Sequence, residues 1–68
     1  MSNTVPKLSN AMNFALEMQE GEGRTPEAFV ALVNKYGGVK VDEVSIVFSD
    51  NSIAIWQDNL KSWKILDP

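Results

Sequence analysis

The stretch VSIVFSDNSIAIWQ, residues 44–57, decides the fold, because it contains two β-rich runs on either side of a turn signal. In residues 44–49, Val, Ile and Phe alternate with Ser, Val and Ser at the period of two that a half-buried strand shows. Asp50-Asn51 is a two-residue turn signal, since both residue types tolerate a positive φ. The sequence therefore predicts a β-hairpin whose second strand covers residues 52–57.

A third strand, residues 62–66, follows a second turn signal at Asp58-Asn59. A two-residue loop in the first hairpin and a three-residue loop in the second keep the large apolar residues on one face, whereas a slip of one residue would scatter them. The inward-facing set in this register is Val44, Ile46, Phe48, Ile53, Ile55, Trp63 and Ile65. Residues 39–41 are out of phase with this set. They either extend the first strand beyond a bulge at Asp42-Glu43 or form a separate extended segment.

A helix is predicted from about Pro26 to Tyr36. Thr25 supplies an N-cap oxygen, Pro26 suits the first helical position, and Gly37-Gly38 provides a stop. Apolar residues recur within this segment at the spacing of one helix face, namely Phe29, Leu32, Val33 and Tyr36.

An earlier helix is predicted between an N-cap at either Thr4 or Ser9 and a stop at Gly21. One face of this helix is expected to carry a mostly apolar stripe, widened on one side by two further residues: Leu8, Ala11, Met12, Ala15, Leu16 and Gln19, with Phe14 and Met18 beside them. The predicted fold class is therefore α+β, with two N-terminal helices packed on one face of a three-stranded antiparallel β-meander, in the order ααβββ. We expect residues 1–68 to form a single compact domain, with residues 1–5 as a flexible N-terminal tail.

Composition excludes most catalytic chemistry. The 68 residues include no His and no Cys, so a Ser-His-Asp triad, a thiolate nucleophile and a Cys/His zinc site are all ruled out. We therefore expect no enzyme activity, no cofactor and no metal. The net charge of −3 makes nucleic acid an unlikely partner, because binding it needs concentrated positive charge. The N-terminus lacks a signal-peptide pattern and no apolar run could span a bilayer, so we expect a cytoplasmic protein without membrane contact.

Three further motifs have competing interpretations. The oxygen-rich clusters Asp50-Asn51-Ser52 and Asp58-Asn59 are better explained by turns than by a cation site, since neither matches a calcium loop. Residues 21–25 precede a helix N-terminus but lack the Gly-Lys-Ser/Thr ending of a phosphate loop. Two helices before a hairpin also suggest a winged DNA-binding arrangement. In that case the second helix would read DNA with a weak set of exposed residues: Glu27, Ala28, Ala31, Asn34 and Lys35.

The predicted register leaves one surface available for binding, because both helices cover the opposite face. It places Trp56 outward among small neighbours, and a Trp in such a setting is typical of an interface anchor. The predicted partner-binding residues are Trp56, Val47, Ala54, Ser45, Ser62 and Lys64. The alternative is that Trp56 folds over Val47 and Ala54, or is covered by residues 1–5. A second predicted route to association is the first strand, whose edge along residues 44–49 carries few protecting charges.

The sequence thus favours a small protein-interaction module over an enzyme. We expect a regulator or inhibitor of a larger protein, and the short chain suggests a phage or another mobile element as its source. A second copy of the chain is the other expected partner, giving a homodimer. The competing functions are a small DNA-binding transcriptional regulator and a structural homo-oligomer with no separate activity.

Overall fold

The computed structural model describes residues 8–21 and 23–68, which form two helices and one four-stranded antiparallel sheet. The elements in chain order are α1 (Asn10–Gln19), α2 (Pro26–Lys35), β1 (Val39–Lys40), β2 (Ser45–Val47), β3 (Ile53–Gln57) and β4 (Ser62–Leu66). The sheet order β1-β2-β3-β4 is that of a meander. The predicted α+β class is confirmed. The predicted count of three strands is wrong, because Val39–Lys40 is a strand of its own; the tail predicted at 1–5 lies outside the described residues.

Both helices begin and end where their capping residues predict. The Ser9 side chain accepts a hydrogen bond from the Met12 N–H at 3.2 Å, and Thr25 accepts one from the Ala28 N–H at 3.1 Å. Each bond satisfies an N–H group that the first helical turn leaves without a partner. The second helix stops because Gly37 adopts a φ of +69°, which favours glycine.

The first hairpin has a three-residue loop, where two residues were predicted. Asn51 adopts a φ of +70°, and the Phe48 N–H donates to the Ser52 carbonyl at 2.8 Å across the loop. This is the common three-residue hairpin, in which the last loop residue is left-handed. Ile46 therefore pairs with Ala54 and not with Ile55.

The second hairpin has a four-residue loop, where three residues were predicted. Lys61 adopts a φ of +52°, and Trp56 pairs directly with Trp63. This register also differs from the predicted one by a single residue. Because side chains alternate along a strand, a shift of one residue moves every side chain of β3 to the other face.

The sheet face beneath the helices consequently differs from the predicted one. Ala54 and Trp56 lie on the helix side together with Trp63, whereas Ile53 and Ile55 point to the opposite side. The buried apolar residues that form the core come from both helices and the sheet: Ala11, Phe14, Leu32, Val33, Ile46, Phe48 and Ala54. Val44, also predicted to face inward, is 42% exposed.

The Phe14 ring is the centre of the core and is fully buried. Its centroid lies 5.9 Å from that of Phe29, 5.3 Å from that of Phe48 and 5.1 Å from that of Trp63. Offset and edge-on aromatic pairs at these distances are favourable beyond the area that they bury. One side chain of α1 thus joins α2, the first hairpin and β4.

The hairpin loop between β2 and β3 caps α1 from outside the helix. The Asn10 N–H donates to Asp50 Oδ2 at 2.8 Å, and the Ala11 N–H donates to Ser52 Oγ at 2.9 Å. Ser52 is fully buried and in turn donates its hydroxyl to Asp50 Oδ1. The bond from Asn10, followed by that from Ser52, lowers the pKa of Asp50 below its usual value of 3.8.

Strand β2 is paired on both sides, so the predicted free edge along residues 44–49 is wrong. Val47 pairs with Val39 on one side and with Ile53 on the other. The alternative of a separate extended segment at residues 39–41 is the one the structure contains. Among the described strands, the sheet ends at the two-residue β1 and the five-residue β4.

We predict that Asp50→Asn destabilises the fold by about 1 kcal/mol at neutral pH, as the loss of an N-cap does. The lowered pKa means that the Asp50 carboxylate stabilises the fold above the unfolded-state pKa of 3.8. This contribution is lost as the pH falls through the lower folded-state pKa. Urea unfolding at several pH values should therefore show a smaller acid-induced loss of stability in Asp50→Asn than in wild type. Asp67→Asn is the control. An equal acid-induced loss of stability in wild type and in Asp50→Asn would contradict the role of Asp50 as a cap.

Gly38 provides a second test of the core. A Cβ at this position would lie 2.8 Å from both Phe48 and Val33 and 2.9 Å from Ile46. We predict that Gly38→Ala lowers the free energy of unfolding by about 1–3 kcal/mol, because buried side chains would have to shift. Thermal or urea unfolding measures the change, and an unchanged midpoint would contradict the close packing.

Candidate functional site

The six predicted partner-binding residues do not share one surface. Trp56 and Ala54 lie on the helix side of the sheet, and Ala54 is fully buried. Ser45, Val47 and Lys64 lie on the opposite face, in register with Ile53 and Ile55, and Ser62 is exposed at the start of β4, where it pairs with Gln57. The outward placement of Trp56 is therefore wrong, and the cause is the one-residue difference in both loops. Whether the exposed members of the set bind a partner stays a prediction.

Trp56 instead lines an open groove between α1 and the β3–β4 hairpin. The groove has a volume of about 430 Å³, within the usual range for ligand and side-chain pockets. Most of its lining is apolar or aromatic: Met12, Ala15, Leu16, Met18, Trp56, Trp63 and Ile65. Gln19, Lys61 and Ser62 supply the polar part of the lining.

The groove exists because the aromatic contacts of the core extend beyond α1, from Phe14 through Trp63 to Trp56 on the β3–β4 hairpin. The ring centroids of Trp63 and Trp56 lie 5.2 Å apart in an edge-on arrangement. Trp63 also contacts Phe14, whereas Trp56 is the outermost ring of the series and lines the open side. One wall is therefore a rigid pair of indoles, and the other is the unbranched Met12 and Met18 side chains, which adapt easily in shape.

The electrostatics of the groove are simple. Among the described residues, Lys61 is the only charged one in the groove lining, and its ammonium lies 2.9 Å from Asp58 Oδ1. Both of these side chains are more than 70% exposed, so solvent screens the pair and it adds little stability. The pair therefore holds the Lys61 ammonium only weakly.

The opposite sheet surface is a second candidate, which we call the outer face. Alternation along the strands places six apolar side chains on it: Val39, Val41, Val47, Ile53, Ile55 and Leu66. Val39 is 63% exposed and Leu66 39% exposed. An antiparallel sheet with one solvated face usually carries polar residues there. Sequence reasoning missed this surface because it placed Ile53 and Ile55 in the core.

The acidic loops are occupied by bonds within the chain. Both oxygens of Asp50 accept hydrogen bonds from α1 or Ser52, so this carboxylate serves as a cap and not as a cation ligand. Asp42 Oδ1 accepts from the Val44 N–H at 2.8 Å and the Ser45 N–H at 2.7 Å. The first of these bonds is the main cause of the lowered pKa of Asp42. Within residues 8–21 and 23–68, no group of three or more acidic side chains converges on a metal position.

Lys35, the basic residue in the last turn of α2, is paired within the chain. The Lys35 ammonium lies 3.0 Å from Glu17 Oε1, and the Tyr36 hydroxyl donates to the same carboxylate. Lys35 therefore joins α2 to α1.

Neither described helix is long and apolar enough to cross a bilayer.

No protein-family model, no curated protein and no solved structure matches this chain.

We predict that the two tryptophans contribute unequally to stability. Trp63→Ala should cost about 3 kcal/mol, because Trp63 contacts Phe14 and packs against the core. Trp56→Ala should cost about 1 kcal/mol, since Trp56 lies at the open end of the aromatic series. Urea unfolding of both variants measures the difference. Equal losses would mean that Trp56 is part of the core and not a groove residue.

Proposed function

We propose that the protein is a small non-enzymatic interaction module that binds a larger protein through the groove and regulates or inhibits it. The proposal includes a cytoplasmic location and a phage or mobile-element source, as expected for a short chain that only has to cover part of a target. The observation that supports it most is the half-buried Trp56 in a concave, mostly apolar groove. Tryptophan is among the residues that contribute most to binding energy at interfaces.

The groove favours a partner segment with apolar side chains and a nearby carboxylate. The indole pair offers rigid contact area, and Met12 and Met18 adapt to the shape of the incoming side chain. Lys61 at the groove lining suits an acidic residue beside the apolar ones. An amphipathic helix presents such residues together on one side and is the partner element that we expect.

Two alternatives have weaker support. A DNA-binding transcriptional regulator would need a basic recognition helix, but α2 has Lys35 in an ion pair and Glu27 in its first turn. A structural homo-oligomer is favoured by the apolar outer face and not by the groove. A shift in electrophoretic mobility at low salt would support the first, and light scattering at increasing concentration tests the second.

We predict that Trp56→Ala weakens binding of the purified partner at least ~30-fold, corresponding to about 2 kcal/mol. The partner would first be isolated from the native host with tagged protein, and its affinity then measured by titration calorimetry. Leu60→Ala is the matched control: Leu60 is 62% exposed on the same hairpin and lies outside the groove lining. Unchanged affinity of a folded Trp56→Ala protein, or an equal effect of Leu60→Ala, would overturn the groove as the binding site.

A further inference from the structure

The outer face is an apolar surface of the described strands that the two helices leave uncovered, with exposed side chains toward its edges and half-buried ones at its centre. Val39, Val47, Ile53 and Leu66 form one continuous row across all four strands. Val41, Ser45, Ile55 and Lys64 form the next row. Both helices contribute their buried residues to the opposite side of the sheet. Contiguous apolar patches of this kind mark interaction surfaces on soluble proteins.

We propose that the outer face binds the outer face of a second copy of the chain, forming a two-fold symmetric dimer of stacked sheets. This inference does not rest on the groove, which lies on the other side of the sheet. Flat sheet faces with apolar side chains commonly pack on one another at a separation of about 10 Å. A two-fold axis requires a self-complementary surface, and the outer face meets this requirement in composition and in charge.

The charge distribution favours a second copy. Each copy carries a net charge of −3, so two copies meet at a lower electrostatic cost on a surface without carboxylates than on one that carries them. None of the outward positions of the four described strands is Asp or Glu, and Lys64 is the single charged residue there. The outer face is therefore the place where two copies approach at the lowest electrostatic cost.

The same charges select one of two possible arrangements. If β4 of one copy lay over β4 of the other, the two Lys64 side chains would face each other. If β4 lies over β1, Lys64 of each copy approaches the β1–β2 turn of the other, which carries Asp42 and Glu43. Opposite charges at both ends of the interface make the second arrangement the favoured one.

The size of the face predicts a weak dimer. The four strands contain two, three, five and five residues, and at about 3.3 Å per residue and about 4.8 Å between strands they give a footprint of roughly 240 Å². A standard stable interface buries about 800 Å² on each partner. The dimer should therefore exchange rapidly with the monomer and become populated in the high-micromolar range.

Sedimentation velocity from micromolar to millimolar concentration tests the dimer. Wild type should move from monomer toward dimer, whereas Ile55→Glu should raise the dissociation constant at least ~10-fold by placing a charge at the centre of the face. Val30→Glu, an equal change at an exposed position of α2, is the control and should behave as wild type. Circular dichroism confirms that each variant is folded.

A charge exchange keeps the proposal testable if Ile55→Glu does not fold. Lys64→Glu should weaken the dimer, and Lys64→Glu combined with Glu43→Lys should restore it, because the pair then meets with exchanged signs. Wild type that stays monomeric at millimolar concentration would overturn the dimer, and so would a folded Ile55→Glu protein that still dimerises. Failure of the exchange to restore association would overturn the β4-over-β1 arrangement. Trp56→Ala should leave dimerisation unchanged, which separates this result from that of the groove.

Discussion

The capping of α1 by the first hairpin loop is the constraint on which the rest of the structure depends. The first N–H groups of a helix have no partner within the helix. Here the Asn10 N–H donates a hydrogen bond to Asp50, and the Ala11 N–H donates one to Ser52. For Ser52 to reach Ala11 it must point toward the helices, which requires three residues in the loop. The loop length then sets the register of β3 and thereby the side on which Trp56 lies. A polar contact between segments about 40 residues apart thus determines which apolar residues form the core.

The elements that depend on local chemistry could be predicted from the sequence. Thr25-Pro26 and the glycines after Tyr36 define α2, and the two Asp-Asn turn signals identify both hairpins. Register could not be predicted in the same way, because β3 is apolar on both faces. Ile53 and Ile55 make one face attractive as a core surface, and Ala54 and Trp56 make the other equally so. The count of large apolar residues favours a core that contains Ile53 and Ile55. The aromatic contacts of Phe14 and the hydrogen bond of Ser52 instead place the other face of β3, with Ala54 and Trp56, toward the helices.

The predicted outward placement of Trp56 and Ala54 is wrong for the same reason, whereas partner binding by the six predicted residues stays a prediction. Trp56 lines a groove and Val47 lies on the outer face, whereas Ala54 is fully buried. The sequence allows two interpretations of residues 39–41, because Val39 and Val41 do not fit the phase of the next strand. The antiparallel pairing of Val39 with Val47 and of Lys40 with Ile46 shows that the chain reverses direction between these segments and does not continue through a bulge.

The two candidate surfaces share a common physical origin in the size of the helices. Each helix has ten residues and is therefore about 15 Å long, too short to cover all of a four-stranded sheet. Covering the centre of one face leaves the end of the β3–β4 hairpin uncovered, which creates the groove. Within residues 8–21 and 23–68, it also leaves the second face without a helix over it, although β3 carries half-buried isoleucines there. A sheet with two apolar faces and helices for only one is stabilised further by any partner that covers the other, since ligands that bind only the folded state favour it.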